Sequence, residues 1–300
     1  MWIIYTLSAA LLQTFRNFFS KRISGSLGTG LASLCRFMFG VPLAGGVCLI
    51  LHASGLRVSI VWVPFLLTCG GMALFQLLAN IFLIELFKLK NFAVSMTLIK
   101  TETILIAVLG IFTLNEIPSG FGWFGIVLAS AGLAVSGGAA QLSGRKTGAS
   151  SAVHQLFSVS SLFALGAGAS LAACTVFLKK TYGFISSDET FYEVIITLFT
   201  IMSIQTVFSL FFIPRGEWRN LRLVAKGPLK PFLVGAFSFA ASVCWFSAFK
   251  LQIAAYVRTI GQVEFVFGLV VSLVMLKEKI SIFELAGMAC VVVGSALLFI

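Results

Sequence analysis

The sequence predicts an all-α polytopic membrane protein, with ten transmembrane helices arranged as two inverted five-helix repeats. Three observations carry that expectation. Hydrophobic residues make up 59% of the chain and charged residues only 10%, where a soluble domain carries about 25% charge. Apolar runs of spanning length recur with short connections from one end of the chain to the other. The stretch Phe87–Val135 also returns without a gap as Phe249–Leu297, an offset of 162 residues (Phe249 against Phe87).

The duplication rests on matched residues of unlike kinds. Thr97 pairs with Thr259, Glu102 with Glu264, Glu116 with Glu278, Ser119 with Ser281, Gly125 with Gly287 and Gly132 with Gly294. Chance identity is common among apolar residues, but two matched glutamates in such sequence are not.

A bilayer core of about 30 Å takes roughly 20 apolar residues per helix. On that scale the first repeat, residues 1–140, holds spans at Trp2–Ser20, Gly28–Ala53, Val61–Phe87, Phe92–Leu114 and Gly120–Ala140. The second, residues 156–300, holds Phe157–Tyr182, Phe191–Ile213, Pro231–Phe249, Ala254–Leu276 and Ile282–Ile300. Residues 141–155 form the linker. Five is odd, so the second copy enters the membrane upside down. Folds of that kind bind solute near the midplane, where the repeats meet.

The chain holds 21 Lys+Arg against 10 Asp+Glu. The basic residues gather in the connections after odd-numbered spans, which reads as membrane topology and not as nucleic-acid binding; the positive-inside rule then places both termini outside. No positive charge precedes the first apolar run, so it reads as a span and not as a signal peptide. The six cysteines lie inside apolar runs without a CxxC or Cys/His cluster, and His52 and His154 stand apart. That spacing supports neither disulfides nor a metal site. With no P-loop or GxGxxG the sequence calls for no cofactor and no catalytic residues. Gly122, Gly125, Ala129 and Gly132, like Gly287 and Gly294, form small-residue stripes suited to close helix contact, within the chain or in a dimer.

Ionisable groups at mid-bilayer cost about 2.5–3.5 kcal/mol each on insertion scales and usually face a cavity or a partner. Lys100 and Glu102 lie near the middle of the fourth span; Arg258, Gln262 and Glu264 lie on the ninth. An inverted two-fold brings Glu102 and Glu264 to similar depth on opposite walls of one space, which makes them the candidates for proton coupling. Lys100 and Glu102 point about 200° apart on a helix, so their partners come from elsewhere: Glu102 with Arg258, or Lys100 with Glu264. The pairs are either structural or part of a site, and Lys100 and Arg258 suit an anionic or zwitterionic group. Further solute-binding candidates are Gln76 and Asn80 on one face of the third span, Gln13 on the first, and Trp245 and Tyr256, which could stack on a ring. Interhelical bonding is the alternative for each. Lys88 and Lys250 read as snorkelling anchors, with Glu85 paired to Lys88. Glu116 and Glu278 sit in tight turns, where they cap the helix that follows.

Those turns, Leu114-Asn115-Glu116 with Gly125 and Leu276-Lys277-Glu278 with Gly287, carry a family resemblance. The chain resembles the drug/metabolite transporter superfamily, and within it the EamA-type bacterial exporters, whose turn reads Leu-Gly-Glu. Asn115 and Lys277 depart from that Gly. The resemblance implies a ten-helix fold around a central cavity in the bacterial inner membrane. It implies alternating-access export of a small polar metabolite such as an amino acid, by proton coupling or exchange, with both termini cytoplasmic. The partners are then a small solute and lipid, the protein being a monomer or homodimer. Lys100-Thr101-Glu102 replaces a more apolar stretch of the family, which points to a polar solute. The alternatives are exchange of sugar-phosphate or nucleotide-linked anions and, further off, a membrane-embedded enzyme.

Overall fold

The computed structural model of the protein describes residues 1–88, 102–142, 159–271 and 282–300. In a bilayer core every backbone polar group needs a partner within the protein, which leaves helices as the spanning element for sequence of this kind. The first half of the chain forms α1 (Trp2–Leu27), α2 (Thr29–Met38), α3 (Gly40–Ala53), α4 (Trp62–Lys88), α5 (Glu102–Leu114) and α6 (Gly120–Leu142). The second forms α7 (Val159–Thr181), α8 (Thr190–Phe211), the short α9 (Leu221–Lys226), α10 (Leu229–Leu251), α11 (Ala254–Gly261), α12 (Glu264–Val271) and α13 (Ile282–Ala296). Five described stretches are long and apolar enough to cross a membrane: Gly30–Ala53, Trp62–Phe82, Leu162–Phe184, Thr190–Phe211 and Leu229–Leu251. Leu67 and Leu162 on them are 69% and 73% exposed, as side chains facing lipid must be.

Contacts divide the chain into two compact units, each drawing on both halves of the sequence. The first is Met1–Leu74 with Phe177–Leu251; the second is Phe75–Val176 with Gln252–Ile300.

In the first unit, α1 packs along α10, and α2 and α3 pack on α8 and α10. Its core includes Ile23, Leu27, Leu31, Leu34, Ile213 and Val234. The second span, expected as one helix, is interrupted at Phe39. Pro42 explains the break: it has no N–H to donate to the Met38 carbonyl, so the helical ladder is broken there. The turn before α2 is held from far along the chain. Gly28 turns it with a φ of 91°, a left-handed conformation that glycine adopts without strain. The Leu31 N–H then donates to Glu217 Oε2 at 2.9 Å, and Asn220 Nδ2 donates to the Leu27 carbonyl at 3.1 Å. One loop thus closes the end of α1 and the start of α2.

The all-helical expectation misses one feature. The antiparallel strands β1 (Val58–Ile60) and β2 (Ile185–Ser187) pair Val58 with Ser187 and Ile60 with Ile185. Three residues each are too few to show a period of two in sequence. Lys250 is also corrected. It is no outward anchor: its ammonium lies 2.6 Å from Glu193 Oε2 and 4.9 Å from the Tyr182 ring centroid. Buried Glu193 draws it inward, and Glu193 Oε1 also accepts the Ser187 N–H at 2.9 Å.

In the second unit, α6 lies against α13. The small-residue stripes meet each other inside the chain: a Cβ added at Gly294 would stand 2.7 Å from the Gly125 carbonyl oxygen and 2.8 Å from the Ala129 nitrogen. Asn115, where the resemblance noted above expects Gly, has a φ of 54°, a conformation that asparagine is among the best at tolerating. Glu116 caps a helix far along the chain. Its Oε2 accepts the Ala254 N–H at 2.8 Å, at the start of α11, while the Ser119 hydroxyl takes the Gly122 N–H at 3.0 Å to begin α6. Glu278 lies outside the described residues, as do Lys100, His154 and the side chains of Glu85 and Lys88.

Two outcomes follow from these contacts. Gly294→Leu is expected to destabilise the protein by about 1–3 kcal/mol, the usual effect of overpacking, read as a lower Tm in detergent. Glu217→Ala removes one helix cap and is expected to cost about 1 kcal/mol, while Glu217→Gln, which keeps an acceptor, costs less in the same assay.

Candidate functional site

The ninth span, expected to run unbroken from Ala254 to Leu276, is interrupted near its middle. α11 ends at Gly261 and α12 begins at Glu264. Across the gap the Gln262 N–H donates to the Thr259 carbonyl at 3.1 Å and the Val263 N–H to the Ile260 carbonyl at 3.0 Å. These three-residue bonds tighten the chain where a regular helix would continue. Arg258, Gln262 and Glu264, spread along one span in the sequence, are brought by this turn onto the wall of one cavity.

That cavity has a volume of about 200 Å³ and is lined by Glu102, Thr103, Arg258, Gly261, Gln262, Glu264 and Phe265. Glu102 and Thr103 come from α5 in the first half of the chain, the others from α11, α12 and the turn between them. Glu102 is 5% exposed. It holds Arg258 through two contacts: Nε to Oε1 at 2.8 Å and Nη2 to Oε2 at 2.9 Å. The planar guanidinium and the carboxylate meet edge to edge, the geometry in which such a pair is strongest. One of the two pairings weighed from the sequence, Glu102 with Arg258, is present, and Glu264 lines the same cavity.

Gln262 is the third element. Its Nε2 donates to Thr103 Oγ1 at 2.9 Å and lies 3.5 Å from Ser130 Oγ. Its Oε1 is buried without a hydrogen-bond partner, in a residue only 7% exposed. A buried carbonyl oxygen left unpaired costs about 1–3 kcal/mol, so a donor arriving in the cavity gains by meeting it. Thr103 and Ser130 were not singled out in the sequence. Thr103 adjoins Glu102, and Ser130 interrupts the small-residue stripe of α6; only the fold shows that one glutamine joins them.

The remaining candidates lie apart from this lining. Tyr256 is buried, and its hydroxyl accepts the Ser119 N–H at 2.9 Å and donates to Ser119 Oγ at 3.2 Å. Gln76, half-buried on α4, accepts from the Cys174 thiol at 3.5 Å, and Asn80 lies one turn further on. Gln13 and Trp245 belong to the other unit, where the indole N–H donates to Gln13 Oε1 at 3.0 Å and the ring stacks on Phe249. Lys100 is outside the described residues. No group of three or more metal-ligating side chains occurs among the described residues.

Residues 159–300 match the model of the EamA-like transporter family. The whole chain is an integral membrane protein, with apolar helices of spanning length in both halves. One solved crystal structure, described only as that of a protein, matches at a TM-score of 0.67 and 16% identity. The match covers 99% of this chain and 95% of that one, a likeness that speaks for the fold alone. No curated protein matches by sequence.

Removing one member of a buried ion pair strands the other, at a typical cost of about 3–5 kcal/mol. Glu102→Gln and Arg258→Gln are each expected to lower Tm markedly, and the double variant to lie above the sum of the two losses. Additive losses in that cycle would mean that the pair contributes nothing.

Proposed function

We propose that the protein is a secondary transporter of a small polar solute, working by alternating access around the Glu102–Arg258 cavity, with export coupled to protons. The observation that carries this reading is a charged cavity built where a spanning helix breaks. Transporters place binding sites at such breaks because unwound backbone and charged side chains are tolerated in a membrane only along a cavity. The family of residues 159–300 supports transport as the activity, and the unpaired Gln262 oxygen supports a solute that donates hydrogen bonds.

The ten-span, inverted arrangement is supported by loop contacts. β1 pairs with β2, Glu116 with the start of α11, and Glu217 with the start of α2. Each contact joins connections separated by an even number of the spans read from the sequence, as groups on one side of a membrane must be.

The same chemistry suggests how protons and solute are exchanged. A solute ammonium fits beside Gln262 Oε1 and the carboxylates of Glu102 and Glu264. A proton on either carboxylate removes the charge that attracts the ammonium, so the two compete for one place. Competition of this kind is the requirement for exchange: only one of the two is carried in each orientation. An anionic solute would have to displace Glu102 from both edges of its contact with Arg258, which makes sugar-phosphate or nucleotide-linked exchange the weaker reading.

Purified protein in liposomes is expected to move zwitterionic or cationic amines against an imposed pH gradient. Glu264→Gln is expected to abolish the pH-driven flux while leaving solute counterflow measurable. Flux of organic phosphates alone, or pH-driven flux unchanged in both Glu264→Gln and Glu102→Gln, would overturn the coupling scheme.

A further inference from the structure

The loop between α8 and α10 has a charge and surface pattern that transport by the cavity does not use. Arg215, Arg219, Arg222, Lys226 and Lys230 are all exposed. The single acid in that stretch, Glu217, is turned inward onto the Leu31 N–H. Its carboxylate is engaged in a cap, so the outer face of the loop is left strongly basic. Apolar side chains stand among the cations: Trp218, Leu221, Leu223 and Leu229 are between 40% and 68% exposed. Ile213 and Val224 point the other way, into the core against Ile23, Leu27 and Leu31. The segment therefore has an anchored inner face and an outer face of alternating cations and large apolar groups.

We infer that residues 215–230 are an interfacial lipid-binding element, whose arginines and lysines grip the phosphates of anionic phospholipids while Trp218 and the leucines enter the headgroup boundary. Charge complementarity selects the occupant. Anionic leaflets attract clusters of Lys and Arg next to a membrane-spanning segment, and amphipathic segments with Trp and Leu on the apolar side settle at that depth. A soluble anion would satisfy the cations but leave the apolar groups in water. A lipid satisfies both.

The test is thermal unfolding of the full-length protein in nanodiscs of phosphatidylcholine alone and with about a third phosphatidylglycerol. The anionic discs are expected to raise Tm, and the rise is expected to shrink with salt. In Arg219→Gln/Arg222→Gln/Lys226→Gln the rise is expected to vanish while Tm in neutral discs stays unchanged, since these side chains are exposed. Brominated phosphatidylglycerol is expected to quench fluorescence in the native protein more than in Trp218→Phe. A Tm rise that persists in the triple variant would overturn the inference. So would an equal rise on adding glycerol phosphate to neutral discs, which would assign the cations to a soluble anion, or quenching that is the same with and without Trp218.

Discussion

A bilayer offers no hydrogen bonds, so every interruption of a helix must find its partners in the protein itself. This constraint organises the structure. The start of α11 is completed by Glu116 and the start of α2 by Glu217. In the first case a carboxylate from the first half of the sequence serves a helix in the second; in the other the direction is reversed. Each exchange joins segments over one hundred residues apart. The packed units accordingly cut across the sequence halves.

The same constraint shapes the cavity. Breaking the apolar stretch at Gln262–Val263 exposes backbone and concentrates polar side chains, which is tolerable only if the charges compensate. Glu102 and Arg258 do so with two short contacts, and Gln262 binds Thr103 through its nitrogen while its side-chain oxygen stays unpaired. The cavity's strongest charges are thus paired, while one buried acceptor on its wall stays unmet. The Lys250–Glu193 pair shows the opposite outcome: its carboxylate also holds β2, and it reads as structure.

Much of this was legible in the sequence. Charges misplaced in apolar runs singled out Glu102, Arg258 and Glu264, which line one cavity. Spacing alone ruled out Lys100 as the helix-mate of Glu102, which directed attention to Arg258. What stayed hidden depends on long-range contacts. Lys250 looked like an anchor because its partner, Glu193, sits in the first turn of another helix, α8. The bond of Glu116 to the start of α11 spans 138 residues and left no local mark in the sequence. The breaks at Phe39 and Gln262 differ in kind: Pro42 announces the first, whereas no proline or glycine pair announces the second, which is fixed by what surrounds it.

The cap on α2 also bears on how the protein is made. Leu31 and Glu217 are 186 residues apart in the chain. At about 5–20 residues per second on the ribosome, the junction of α1 and α2 waits roughly 10–40 seconds for the carboxylate that completes it. During that interval the newborn amino-terminal segment has to be sheltered by the translocon or by lipid headgroups, and its final shape is reached only after most of the polypeptide has been threaded.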